Sequence, residues 1–443
     1  MTSNHMQKIL FFLLCIAFQF LGAQNMVSGK FTDQNSVKDV ALYRIIDGNP
    51  DYIKYTNVES KQFSFSMEGL PKGVYRVLYQ NIKTGYVDFI YNHELVNFTI
   101  NSSEGQSSVE FLASKENQLL QAYQYSVGQL QNKLDSVQIS YFKNPKTSRS
   151  KYQEIKEKVD GAQQYYEELA KEYYCLSFIK ASRRHNAPLP FYLPDEYLNH
   201  IIKSFLEGLD FQNLILRNSM FIKKRLNTYV FYLHQVEAID QQNELYLRAI
   251  EKILAKTKED VFKEHVLRWF MTVFLKKQNS EVLSSLINLY KTIPEEFRNK
   301  TLLSTIEIQS KTMVGQIAPD FKISDQESLH SLEGNNNYLI IFWSSECPHC
   351  SEELPRVEEI TNNHKNTTVI TIALENESSL ANWREIIKAQ YNDWKNIVAL
   401  GKWDSKEAIV YDIHATPTYF LLDENKQIIG KPHDFSAVRE MLK

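Results

Sequence analysis

Cysteine is scarce in this chain, four among 443 residues. That scarcity excludes a secreted scaffold stapled by disulfides, which needs several pairs to close its loops. Glycine (14) and proline (12) are sparse too, and 43% hydrophobic with 23% charged residues is ordinary globular composition. Neither sign of charge dominates: 50 Lys and Arg stand against 53 Asp and Glu, a formal net charge of −3. Such a balance gives no bulk attraction to nucleic acid or to anionic lipid, so nucleic acid is not expected as a partner. Beyond the N-terminus no apolar run is long enough to predict a bilayer span. What is plentiful is tyrosine (25) and phenylalanine (25), which fits a β-rich part plus aromatic packing between helices. A chain of this length exceeds one ordinary core, and roughly two to four domains are expected.

The N-terminus reads as a secretory signal. Lys8 supplies a positive start, Ile9 to Phe18 an apolar stretch, and Gly22-Ala23 a small-residue cleavage site before Gln24. An uncleaved anchor would need about 20 apolar residues, more than this run offers. Cys15 lies inside the run without small residues before it, unlike a lipoprotein cysteine. Residues 1–23 are therefore expected to be removed, and the protein to act in the periplasm or cell envelope. Cys175, Cys347 and Cys350 remain. Cys347 and Cys350 are separated by two residues and read as a redox-active pair. Cys175 is left over and reads as a buried small hydrophobe.

Three parts follow the signal. Residues 24–113 alternate with period two, as in Gln62-Phe63-Ser64-Phe65-Ser66-Met67, while Val74 to Tyr79 fill both faces of their segment. Short strands broken by Gly, Asn and Asp predict a small antiparallel β-sandwich. Residues 114–312 are helical. One stripe runs Leu119, Tyr123, Leu130, Leu134, Val137, Tyr141, and another runs Tyr152, Ile155, Val159, Ala162, Tyr166, Leu169, Tyr173, Leu176. The polar stretch Asn144 to Ser148 between them is short, which favours an antiparallel hairpin over a coiled-coil dimer of the same spacing. Pro188, Pro190 and Pro194 interrupt the helices, and more follow between Asp195 and Tyr290. Arg183-Arg184-His185 and Lys223-Lys224-Arg225 read as solvated helix faces. Residues 313–443 alternate strands with helices and predict a third, α/β part.

The chemistry lies in that third part, in Phe342-Trp343-Ser344-Ser345-Glu346-Cys347-Pro348-His349-Cys350, directly after the apolar run Tyr338 to Ile341. Disulfide exchange needs a thiolate that attacks and a second thiol able to reach the mixed disulfide. If the motif opens a helix, Cys347 sits where free N–H groups and the helix dipole favour a negative sulfur, and Cys350 lies one turn on. Pro348 suits the first helical turn. His349 can add a donor or partial positive charge, which favours the reduced form, and Glu346 pulls the other way. A zinc knuckle would need a second Cys or His pair, and His364 and His414 stand alone. A structural disulfide would close too short a loop to stabilise much.

Three further motifs accompany the pair: Gly315-x-x-Ala318-Pro319-Asp320-Phe321, Glu353-x-Pro355, and Ala415-Thr416-Pro417-Thr418-Tyr419-Phe420-Leu421-Leu422-Asp423. Together they resemble the TlpA/ResA-type thioredoxin-fold thiol–disulfide oxidoreductases. Phe63-Ser64-Phe65 followed by Gly69 to Tyr75 resembles the N-terminal β-domain that precedes such domains in many Bacteroidetes envelope proteins. The resemblance implies a multidomain α+β chain whose C-terminal part is thioredoxin-like. It implies Cys347 as the attacking cysteine, Cys350 as the resolving one, a cis Pro417 facing them, Thr416 offering backbone hydrogen bonds to an extended substrate, and Trp343 shaping access. No cofactor is implied. Partners would be protein or small-molecule disulfides and a membrane redox partner. Two departures stand out. The place of the buried Asp of many thioredoxins holds Ile341, so Glu346, another carboxylate or water must accept the proton. His349 replaces the second Pro frequent in this family and resembles the dipeptide of strong bacterial oxidants.

The reading favoured is an exported reductase of envelope protein disulfides. The alternative is a redox-sensitive binding or scaffold protein. A thiol peroxidase is suggested by the Ala318 to Phe321 lead, but the peroxidatic Pro and Thr positions hold Ile340 and Ser344. Sequons at Asn97, Asn101, Asn366 and Asn376 read as chance matches in polar loops.

Overall fold

Period-two alternation builds eight strands: β1 (Met26–Phe31), β2 (Asp39–Ile46), β3 (Asn49–Asn57), β4 (Gln62–Ser66), β5 (Gly73–Leu78), β6 (Tyr86–Tyr91), β7 (Val96–Asn101) and β8 (Ser108–Ala113). The computed structural model describes residues 25–443 apart from 34–36, 81–84, 102–107, 146–148 and 335–336. The expected leader, residues 1–23, lies outside the described residues. The chain divides into two compact units, one ending at Lys258 and the other spanning Glu259–Lys443. The helical stretch is thus shared between them.

In the first unit the strands form two four-stranded sheets, ordered β4-β1-β7-β8 and β3-β2-β5-β6. Phe63, Phe65 and Phe98 of one sheet meet Tyr75, Val77 and Phe89 of the other in a shared core. β5 is buried on both faces, as its continuous apolar pattern requires. Its Arg76 is tolerated there because Asp88 of β6 accepts from it twice, at 2.6 and 2.8 Å, and the Tyr86 ring covers the guanidinium. One pair departs from the antiparallel expectation: β1 runs parallel to β7. The chain passes through the other sheet before it returns to lie beside β1, so a crossover and not a hairpin sets the direction.

Helices α1 (Lys115–Lys143) and α2 (Arg149–Leu169) pair as a hairpin. Leu134 and Val137 pack on Tyr152, Ile155 and Val159, and Tyr123 donates to Gln163 across the pair at 2.9 Å. The second stripe is shorter than its spacing suggests, because the helix ends at Leu169 and a new one, α3 (Cys175–Ser182), starts. Glu116 explains the break. Fully buried on the first turn of α1, it accepts the backbone N–H groups of Tyr174 and Cys175 at 3.0 and 2.8 Å. A carboxylate there satisfies the free donors of a new helix start.

Helices α4 (Pro194–Ser204), α5 (Leu214–Arg217), α6 (Met220–Phe231) and α7 (Ile239–Lys256) complete this unit. The two basic clusters are not solvated helix faces. α3 stops at Ser182, where Arg183 turns extended (φ −55°, ψ 132°), and Arg183-Arg184-His185 run half-buried through a loop. Arg184 is drawn to Asp135 of α1 at 2.6 Å. On α6 only Lys224 of its cluster is exposed, and Arg225 turns inward, 3.7 Å over the Phe205 ring.

The second unit opens with α8 (Asp260–Lys276), α9 (Ser280–Lys291) and α10 (Lys300–Lys311), whose Phe270, Phe274, Leu283 and Leu286 are buried. Five strands follow, β9 (Asn337–Trp343), β10 (Thr367–Glu375), β11 (Lys395–Leu400), β12 (Thr418–Leu422) and β13 (Ile428–Gly430), ordered β11-β10-β9-β12-β13. β9, β10 and β11 are parallel, and β12 runs antiparallel to both its neighbours, β9 and β13. Around them lie α11 (Pro348–Asn362), α12 (Leu380–Ala389), α13 (Lys406–Val410) and α14 (Phe435–Met441). The pleat sorts β9 between two cores: Ile340 and Phe342 face one, Leu339, Ile341 and Trp343 the other. β11 lacks a sequence signal because it is an edge strand, half-exposed from Lys395 to Val398. No described helix is long and apolar enough to cross a membrane.

Candidate functional site

The site grows from the C-terminal end of β9. Trp343 closes the strand, a turn carries Ser344 to Glu346, and α11 begins. Cys347 is the N-cap of that helix (φ −92°, ψ 114°) and Pro348 its first residue. The Cys347 Sγ accepts the backbone N–H of Cys350 at 3.3 Å, one of the donors a helix start leaves free. Both sulfurs are free thiols, Cys347 half-buried and Cys350 fully buried. Cys350 packs with Trp343, Leu354, Val357 and Tyr419 beneath the surface.

The loop before β12 faces this helix start. The Thr416–Pro417 bond is cis, the isomer the resemblance implies. Cys347 Sγ donates to the Thr416 carbonyl at 3.4 Å. Trp343, 3% exposed, lies edge-on to Tyr391 in the cluster that holds Cys350, so it forms the wall behind the pair. Cys347, Cys350, Trp343 and Thr416-Pro417 are thus brought together. Pro348 and His349 are exposed, and the His349 ring makes no hydrogen bond among the described residues. Glu346 points to solvent and pairs with Lys402 Nζ at 2.5 Å.

The two thiols have different surroundings. Burial first, then the hydrogen bond and charge of Cys347, push the Cys350 thiol up to about 12, so it keeps its proton at neutral pH. Ile341, in the place of the acid of many thioredoxins, is fully buried in apolar packing and offers no acceptor. Two other carboxylates come close to the motif. Glu353 on α11 accepts from the Tyr419 hydroxyl at 2.8 Å and from Phe435 N at 3.2 Å. Burial, the Glu353 hydrogen bond and nearby negative charge, Cys350 included, raise Tyr419, which places its hydroxyl in the field of the Cys350 sulfur. Glu375, fully buried at the end of β10, accepts from Ser345 N at 2.5 Å, while its Oε2 has no partner among the described residues.

Lys402 and Glu375 were missed as candidate site residues, and Glu353 and Tyr419 were seen only as motif matches. Glu375 left one trace in the sequence, an acid ending the apolar run Val369 to Leu374 at the carboxyl end of a parallel strand. No group of three or more His, Cys, Asp or Glu that could hold a metal occurs among the described residues.

A central β-strand delivering two thiols to a helix N-terminus, opposite a cis-proline loop, defines a thioredoxin-like dithiol domain. Residues 314–430 match the model of the AhpC/TSA family. The chain is 31% identical over 127 residues to a thiol-disulfide oxidoreductase ResA of Bacillus cereus, covering 28% of this chain and 71% of that one. It is also 31% identical over 134 residues to the ResA of Bacillus anthracis, 28% and 73% of the two chains. The chain belongs to the ResA family of thiol–disulfide oxidoreductases. Among solved structures, a thioredoxin-like protein from Bacteroides caccae aligns over 59% of this chain and 97% of its own, with 19% identity and a TM-score of 0.38.

Proposed function

We propose that the protein is an exported reductase of disulfides in cell-envelope proteins or small molecules, working through Cys347 and Cys350. The observation that carries this is the asymmetry of the pair: a half-exposed sulfur capping α11, and a buried thiol one turn on, held protonated by its surroundings. Cys347, as thiolate, attacks a substrate disulfide and one substrate sulfur leaves as a thiolate. Cys350 then loses its proton and attacks Cys347 Sγ. The second substrate thiolate leaves, and the Cys347–Cys350 disulfide retains the oxidation that the substrate has lost. The carbonyl and N–H of Thr416, beside Cys347, would hold the substrate backbone, and Trp343 would limit the approach from behind. Pro348 and His349, both exposed, would line the approach from solvent. Glu353 would take the Cys350 proton by way of the Tyr419 hydroxyl, which already donates to it, since Ile341 cannot.

The exposed position of His349 supports a reductase. A strong oxidant needs its reduced form stabilised, and here the Cys347 sulfur receives one backbone N–H while it donates to a carbonyl. Export rests on the reading of residues 1–23, and a membrane redox partner would resupply electrons. Cys350→Ala should accumulate mixed disulfides through Cys347 with envelope proteins, and the exchange reading fails if none form. The reduction potential of the pair sets the direction: near about −270 mV the protein is a reductant, near about −120 mV an oxidant. The AhpC/TSA match favours one second reading, thiol peroxidase, which requires hydrogen-peroxide consumption that is lost with Cys347.

A further inference from the structure

The first basic cluster of the helical region and Arg225 of the second, unused by the redox chemistry, meet. Arg183, Arg184 and His185 of the loop after α3, Arg225 of α6, His200 of α4 and the Phe205 ring line one cavity of about 270 Å³ within the first unit. No carboxylate is among its lining residues. Two of the cations have acids behind them, Arg184 with Asp135 at 2.6 Å and Arg183 with Glu167 at 3.8 Å, and the His185 ring faces Glu207 at 3.5 Å. Arg225 has none among the described residues. It donates to the Phe205 carbonyl at 3.1 Å and stacks on that ring, and its Nε lacks an acceptor, as does the buried Nε2 of His185. The phenol of Tyr123 is no counter-ion, because burial pushes it up to about 12 and leaves it neutral.

A buried cation without a partner is costly, whereas a guanidinium beside a cavity is matched in shape and charge by an oxyanion. We propose that this cavity binds a compact oxyanion, the carboxylate or phosphate group of a small molecule, with Arg225 as its main ligand. Arg183 and Arg184, which also line the cavity, would add charge. A neighbouring cavity of about 250 Å³ shares these three arginines and leaves room for the rest of the molecule. The inference uses no residue of the thiol site and stands apart from the redox reading.

Calorimetric titration of the full chain with inorganic phosphate, and separately with succinate, at constant ionic strength tests it. Saturable binding of one per chain is expected for at least one of the two, and the stronger ligand identifies the chemistry. Arg225→Gln should weaken that binding roughly ten- to a hundredfold, the loss of a charged hydrogen-bond donor, with insulin-disulfide reduction unchanged. Should that variant not fold, Arg183→Gln is titrated in its place, and the wild type should show a thermal midpoint that rises with the bound anion. Absence of saturable binding of either anion to the wild type up to about 10 mM, well above a weak millimolar site, overturns the proposal. So does binding that the folded variant leaves unchanged.

Discussion

Two helices of this chain begin at a cysteine, and the two cysteines differ in what fills the helix start. At α3 the free N–H groups of Tyr174 and Cys175 are taken by the Glu116 carboxylate. The Cys175 thiol beside it is fully buried, and burial first, then the negative charge of Glu116, drive it far above the ordinary thiol range. At α11 no carboxylate occupies the cap, and the Cys347 sulfur itself takes the N–H of Cys350. The same positive helix end serves an acid in one place and a sulfur in the other. Burial comes first in keeping Cys175 protonated, and an acid that has already claimed the donors around it adds to that hold.

The comparison can be broken at either end. Cys347→Ser should reduce insulin-disulfide turnover to background, a loss of at least about a hundredfold, because a hydroxyl is neither ionised nor able to form the mixed disulfide. Cys175→Ala should leave turnover as it is, and equal losses in the two variants would erase the distinction. Glu116→Ala should cost about 3 kcal/mol in chemical denaturation of the first unit, since it strips buried N–H groups of their acceptor. A loss below about 1 kcal/mol would show that the α3 start does not depend on that carboxylate.

The buried thiol of the Cys347–Cys350 pair gives a sharper test. Because the native state raises Cys350 above its ordinary value of 9.0 to about 12, its contribution to stability is fully present below pH 9.0 and is lost as pH rises toward 12. Reduced wild type should therefore lose stability from pH 9 upward more steeply than reduced Cys350→Ala, as measured by urea unfolding at about pH 8 and about pH 10.5. Parallel curves would mean that the buried setting of Cys350 does not matter. The smallest effect belongs to the exposed ion pair. Lys402→Gln leaves the Glu346 charge uncompensated next to Cys347 and should slow alkylation of that thiol about two- to fourfold, with the difference vanishing in high salt.

What was legible in the sequence was what is local. The cysteine pair, Trp343 and Thr416-Pro417 were readable because each belongs to a contiguous motif, and β9 because its apolar run is bounded on both sides. The groups around them were not, because they arrive from far along the chain. Glu375 meets Ser345 across 30 residues, Lys402 meets Glu346 across 56, and Tyr419 meets Glu353 across 66. Spacing cannot report contacts that only the sheet order creates. The sandwich was readable from its alternation, except for the β1–β7 direction, which depends on the path between sheets. Arg184 and Arg225 show the opposite error. Charge led both to be assigned to solvent, while Asp135 and Phe205, remote in sequence, draw the two side chains inward.

The alternation of β9 acts as a counting device for the chemistry that follows it. Five residues, Leu339 to Trp343, are dealt in turn to two cores, and the turn holding Cys347 starts from wherever the count stops. Substituting one apolar residue for another along this run keeps the count. Removing one residue would exchange the two faces and rotate the start of α11 to the opposite side of the sheet, away from Thr416. This stretch can therefore exchange one apolar residue for another but has almost no freedom in length.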